Sequence, residues 1–299
     1  MAAAERAEPV WATASQVRSW LLIEVHGSWG RDAVGESELG PHAPAVWRQA
    51  MRARGIRVIT IRRDLETHHH EHTSGVRLVH VVGGRPGATP ARARRVVVDG
   101  LHQVVTATES IATGSGFGPE WIDDDDPYVL VCTNGRHDAC CATFGRPMAR
   151  ALRRSRWAGR VWECSHIGGD RYAGNLVLLP ESFYFGRLDA PGAERVLEEL
   201  DAGRVDLDHF RGRSTFSLVE QAAEHFVRTE LSLAAVDAIR SVESLGNGQV
   251  RLRVGREGRD ETLLVAVERS RVPANTPLTC KGAEGLTYPV FRLASIEPQ

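Results

Sequence analysis

Two short stretches carry the residues that could do chemistry. The first runs CTNGRHDACC from Cys132 to Cys141, and the second ECSHIGGDRYAGN from Glu163 to Asn175. Cys132 closes an apolar run and Cys141 opens a helix-like segment, with a polar loop holding Asn134 and Gly135 between them. Gly and Asn tolerate the tight turns that let such a loop fold over a bound group. A thiol at a helix start ionises readily because the exposed backbone N–H groups stabilise its thiolate. The thiolate is the form that binds iron. Cysteine is also common in cores, but two on one short polar loop argue for ligands over packing. In the second stretch His166 and Asp170 stand four apart around Gly168 and Gly169. Glycines there let the backbone approach a bulky inorganic group and offer N–H donors to it. A lone histidine is more often structural; beside Gly-Gly and after a strand, this one reads as a ligand.

Such residues need elements to position them, and the apolar pattern supplies an α/β order twice. Trp20–Val25, Arg57–Ile61, Val76–Val82 and Arg95–Asp99 read as strands, with a helix over Ala43–Ala53 ended by Gly55. The acidic, proline-flanked residues 119–127 read as a linker. Beyond it, Tyr128–Cys132 is a strand, and Cys140 to about Ser155 a helix with Phe144, Met148 and Leu152 on one face. Arg160–Glu163, Leu176–Pro180 and Tyr184–Leu188 are strands, the last two a hairpin around Glu181-Ser182, and Ala193–Leu200 is a helix ended by Gly203. The order β-α-β-β-β-α follows a similar run that lacks cysteine. The tail has a helix at Ser217–Glu230 and strands at Val250–Val254, Thr262–Val267 and Tyr288–Leu293, a small α+β region without evident chemistry.

Composition narrows the function. The chain has 299 residues, 42% of them apolar and 25% charged, with a net charge of −1. That is ordinary for a globular protein and gives no default for nucleic acid or an acidic membrane as partner. No stretch reaches the apolar length of a membrane span, and residues 1–9 lack the pattern of a secretory signal. The five cysteines are an odd number and four of them cluster between Cys132 and Cys164. This is a poor disulfide framework and points to metal or redox chemistry in a reducing, cytoplasmic setting. Cys280, in a Pro/Thr loop, reads as an incidental thiol. The Asp123–Asp126 run reads as a solvated loop, and the His68-His69-His70-Glu71-His72 run as an exposed, adventitious metal binder.

The motifs CTNGRHDACC and SHIGGDRYAGN resemble those of the sucrase/ferredoxin-like family, whose fungal members are thioredoxin-like ferredoxins. In them a Cys-x8-Cys pair and a His-x-Gly-Gly-His-x-x-Ala-Gly-Asn motif hold one [2Fe–2S] cluster. Cys132 and Cys141 match the first pair, and His166, Gly168, Gly169, Ala173, Gly174 and Asn175 match the second. The following NLVLLPESFYFGRL, the early WLLIEVHGSWG and the late QAAEHFVR are similar too. The resemblance implies a thioredoxin-like ferredoxin domain, placed at 127–205; the strand and helix pattern suggests a related cysteine-free half over 1–122 before it and a small α+β region over 208–299 after it, an α/β fold overall. It implies a one-electron carrier rather than an enzyme, working with an unidentified redox partner protein. Asp170 departs from the pattern by standing where the second histidine belongs. Asp170 as an oxygen ligand is favoured, ahead of Cys164, which strand alternation turns to the same face as His166; His137 or solvent is a further alternative, and Asp170 could instead only shape the site. Carboxylate is an unusual donor to such iron. Imidazole ligation raises the potential and ties it to pH: histidine-ligated centres lie at roughly −150 to +300 mV, against about −400 mV for plant-type ferredoxins. The rival functions are a thiol redox protein on Cys140-Cys141, a structural zinc site and, least of all, a sucrose hydrolase, for which no facing carboxylate pair stands out.

Overall fold

The computed structural model describes residues 8–63, 75–256, 258–274, 277–279 and 285–299. The β-branched and aromatic runs form strands β1 (Ser19–Glu24), β2 (Ile56–Arg62), β3 (Val76–Val82), β4 (Arg92–Val98), β5 (Ile122–Asp123), β6 (Tyr128–Cys132), β7 (Val161–Cys164), β8 (Leu176–Leu179), β9 (Phe183–Phe185) and β10 (Phe210–Arg213). All ten join one mixed sheet in the order β10-β9-β8-β6-β7-β2-β1-β3-β4-β5. Helices α1 (Ala45–Ala53), α2 (Val104–Thr113), α3 (Ala139–Leu152) and α4 (Ala190–Asp201) lie against it. The architecture is α/β.

The arrangement occurs twice. In the first half β1 is parallel to β2 and antiparallel to β3, which pairs antiparallel with β4. In the second, β6 is parallel to β7 and antiparallel to β8, which pairs antiparallel with β9. α1 and α3 each connect the parallel pair, and α2 and α4 each follow the last strand. The halves meet where β2 runs antiparallel to β7, Ile61 opposite Cys164. Alternation along the strands separates the two faces. Leu21 and Ile23 pack with Trp47 and Met51 of α1, and Val129 and Val131 pack with Met148 and Leu152 of α3. Trp20, Leu22, Leu130 and Cys132 share the opposite face with Ala14 and Val17 of the N-terminal segment.

The tail helix α5 (Leu218–Glu230) begins with a capping box between Ser217 and Glu220. It packs on a separate antiparallel sheet of β11 (Ile239–Gly246), β12 (Gln249–Arg256), β13 (Arg259–Pro273) and β14 (Thr287–Pro298). Its Glu224 lies between Arg213 and Arg228, at 3.1 and 3.0 Å. Among the described residues no helix is long and apolar enough to cross a membrane.

Three details differ from the sequence reading. The stretch 119–127 contains β5, and within its acidic run Asp124 is buried while Asp123, Asp125 and Asp126 are exposed, as read. Asp123 accepts a bond from Arg94 at 2.8 Å, and the buried Asp124 accepts one from the Tyr128 hydroxyl at 2.6 Å. α2, with its Thr- and Ser-rich sequence, lacks an obvious apolar stripe; Thr108 is nevertheless buried, taking a bond from the Trp47 indole. β10, sequence FRGR, belongs to the large sheet although it looks polar, because its two arginines are buried against specific acceptors.

Candidate metal centre

The site is assembled from the end of β6, the first turn of α3 and the loop after β7. Asn134 organises the first loop. Its Oδ1 accepts the backbone N–H groups of Arg136 and His137, and its Nδ2 donates to Gly30 O at 3.1 Å, tying the loop to the first half. Asp138 caps α3 by accepting from Cys140 N at 2.8 Å. That places Cys141 in the first turn, facing inward. Gly145 lets the helix sit this close, since a Cβ there would lie 1.9 Å from the Cys132 carbonyl oxygen.

The second loop is held by its carbonyls. Arg57, on β2 of the first half, donates to His166 O and Ile167 O at 2.8 and 3.0 Å. Ser15 and Tyr184 also donate to Ile167 O. Arg211 of β10 donates to Gly168 O at 3.1 Å and to Asn175 Oδ1 at 2.7 Å, and Asn175 Nδ2 donates to Gly169 O at 2.8 Å. Gly168 and Gly169 have φ of 96° and 78°, a conformation that strains any residue with a side chain. A Cβ on Gly169 would also lie 2.1 Å from Arg211 Nη2. Backbone conformation and this clamp thus account for the glycine pair, alongside the close approach expected of it.

Two sulfurs and an imidazole converge as a result. The Sγ atoms of Cys132 and Cys141 and a ring nitrogen of His166 lie within 4.8 Å of one another, with Cys141 Sγ 3.7 Å from His166 Nδ1. Both cysteines are buried and His166 is half-buried. The Cys141 thiol donates to Cys132, and this bond, helped by His166 and the Ile167 N–H, holds the Cys132 thiol well below the ordinary range. The Cys141 thiol is pushed up by the same bond and by burial. Both sulfurs bind a cation as thiolates, and their close approach sets them to share one.

The alternatives for a fourth ligand stand outside this trio. Asp170 opens a short 3-10 turn, Asp170–Tyr172, and its Oδ1 accepts from Arg171 N at 3.2 Å. Its charge reaches Cys141. Cys164 is fully buried beside Cys132 in the β6–β7 pair, and burial pushes its thiol up. His137 stacks on His166, with ring centroids 3.7 Å apart and planes 15° from parallel. Two imidazoles on one tetrahedral ion diverge from it, so this stack is not the geometry of a shared ion. Cys280 and the His68–His72 run lie outside the described residues. Arg57, Arg211, Ser15 and Tyr184 were invisible to spacing arguments because they reach the loop from other strands and from the N-terminal segment; the local sign was a charged residue inside a strand-like run.

Fold and site together define an α/β protein with a buried cysteine–histidine group suited to a metal. The chain belongs to the sucrase/ferredoxin-like family, which matches residues 10–212. The match covers the ten-stranded sheet almost to the end of β10 and excludes α5 and the four-stranded sheet. Altered inheritance of mitochondria protein 32 of Meyerozyma guilliermondii is 29% identical over 100 residues, covering 30% of this chain and 36% of that protein. The match thus spans about a third of that relative's length. No solved structure matches the chain.

Proposed function

We propose that this protein is a one-electron carrier holding a [2Fe–2S] cluster through Cys132, Cys141 and His166, with Asp170 as the fourth ligand. The observation that carries the reading is the convergence of two cysteine sulfurs and an imidazole from separate loops within 4.8 Å. The donor set fits the group: thiolates suit iron–sulfur clusters, and histidine replaces cysteine on some of them. The cluster supplies the one-electron couple. The chain holds the two sulfurs together, excludes water from both and leaves His166 as the least buried of the three donors, so that a redox partner protein meets the site on the His166 side. The β-α-β-β-β-α order of the second half, with α3 opening at the site, supports a thioredoxin-like ferredoxin unit. The clustering of four of the five cysteines between Cys132 and Cys164 supports a reducing, cytoplasmic setting.

A single zinc ion is the second reading, favoured by one observation. All three donors lie within 4.8 Å of one another, as one shared ion requires, and the 3.7 Å between Cys141 Sγ and His166 Nδ1 is near the roughly 3.5 Å edge of a tetrahedral site with zinc–sulfur and zinc–nitrogen bonds of about 2.3 and 2.0 Å. Iron and acid-labile sulfide assays separate the two readings.

The fourth ligand is tested by substitution. Asp170→Ala is expected to bind less cluster and to change its visible spectrum, whereas Cys164→Ala keeps both. A chain that loses the cluster with Cys164→Ala and keeps it with Asp170→Ala would reverse the assignment.

A further inference from the structure

Most buried or half-buried arginines in this protein have a carboxylate. Arg213 and Arg228 share Glu224, Arg62 and Arg153 share Glu163, and Arg85 has Glu220. Among the described residues Arg211 and Arg57 have none; the half-buried Arg63 and Arg77 share this, but they lie over Trp162 and not on the His166 loop. The fully buried Arg211 guanidinium donates to Thr13 O, Thr13 Oγ1, Gly168 O and Asn175 Oδ1. It lies 5.0 and 5.4 Å from the rings of Tyr172 and Tyr184. Arg57 donates to His166 O and Ile167 O and lies 5.5 Å from the Trp20 ring. Every one of these partners is neutral, and among the described residues neither arginine forms an ion pair. A cation taken out of water without an opposite charge is costly. Both of these cations hold the one loop that carries His166.

We propose that Arg57 and Arg211 are the counter-charges of the metal centre, and that Arg57, contributed by the cysteine-free half, holds its reduction potential up. The inference rests on the cluster reading above. The centre adds negative charge, in its thiolates and, after reduction, in the added electron, to that of the Asp170 carboxylate on the same loop. A fixed positive charge nearby favours the state with one more electron. The first half therefore takes part in the redox site: β2 reaches across the β2–β7 junction and sets the charge around the loop. Asp170, whose carboxylate also acts on Arg211, belongs to the same charge set.

The test is a redox titration of the full-length chain after reconstitution with iron and sulfide, followed by the visible spectrum. Arg57→Gln keeps a donor and removes the charge; Arg57→Lys keeps the charge and loses the fork. At a fixed potential near the midpoint, Arg57→Gln is expected to lower the ratio of reduced to oxidised cluster roughly tenfold, a shift of about 59 mV downwards for one electron. Arg57→Lys is expected to stay close to the parent, and iron and sulfide per chain should be unchanged in both. Loss of the cluster in Arg57→Gln with retention in Arg57→Lys also supports a role for charge. An unshifted potential in a cluster-loaded Arg57→Gln overturns the inference while the cluster reading stands. Loss of the cluster in both variants overturns it too, because the paired hydrogen bonds are then what the loop needs. A parent chain that takes up no iron overturns both, and is recognised before any variant is made.

Discussion

Cys141→Ala is expected to abolish cluster binding and leave the fold standing. Cys141 supplies one of the three converging donors, and nothing else in the first turn of α3 reaches the same point: its neighbour Cys140 is only half-buried, on a different side of the turn. The remaining Cys132, His166 and Asp170 offer a single thiolate, too little to compete with free thiols or chelators for iron. The stability cost is small by comparison, about 1 kcal/mol for trimming one small buried side chain, because Asp138 still caps the helix and Gly145 still seats it. Cys140→Ala is the matched control and should keep the cluster. Iron and sulfide per chain, measured beside a thermal melt, check both halves of the expectation. Parental iron content in Cys141→Ala would remove this residue from the ligand set.

Arg211→Met is expected to destabilise the protein by about 3 kcal/mol, even without metal. Methionine matches much of the arginine stem but leaves Gly168 O, Thr13 O and Asn175 Oδ1 without their donor. Each orphaned buried acceptor costs about 1–3 kcal/mol, partly offset because no buried cation then has to be desolvated. The damage also spreads. Thr13 and Ala14 donate to the Arg211 carbonyl, so the N-terminal segment, β10 and the His166 loop share one anchor. A chemical denaturation midpoint that falls with an unchanged denaturant slope would match this account. A midpoint equal to the parent's would show that the clamp contributes nothing to stability.

What was legible in the sequence divides along physical lines. The cysteines, His166 and the glycine pair stood out because side-chain type and close spacing carry their own chemistry, and the structure brings Cys132, Cys141 and His166 together. The repeated strand and helix order was legible too, since a buried strand such as YVLVC is apolar throughout. β10 and β11 were missed for the converse reason. FRGR and IRSVESLG carry charged or polar residues whose burial or pairing depends on partners elsewhere in the chain: Gln221 and Glu224 of α5 for the first, β12 for the second. The clamp on the His166 loop was equally hidden. It draws on Ser15, Arg57, Tyr184 and Arg211, residues spread over nearly 200 positions, and no local pattern joins them. Within the acidic run, read as solvated, only Asp124 is buried, held by the nearby Tyr128 hydroxyl and by Arg95 of β4, which no local pattern links to it.

The most direct test of the central claim is the visible absorption spectrum of protein purified without air, with iron and acid-labile sulfide assayed on the same sample. The account predicts broad bands between roughly 400 and 600 nm that bleach with dithionite, and about two irons and two sulfides per chain. A colourless protein that stays free of iron after reconstitution, or one that carries a single zinc, would contradict it.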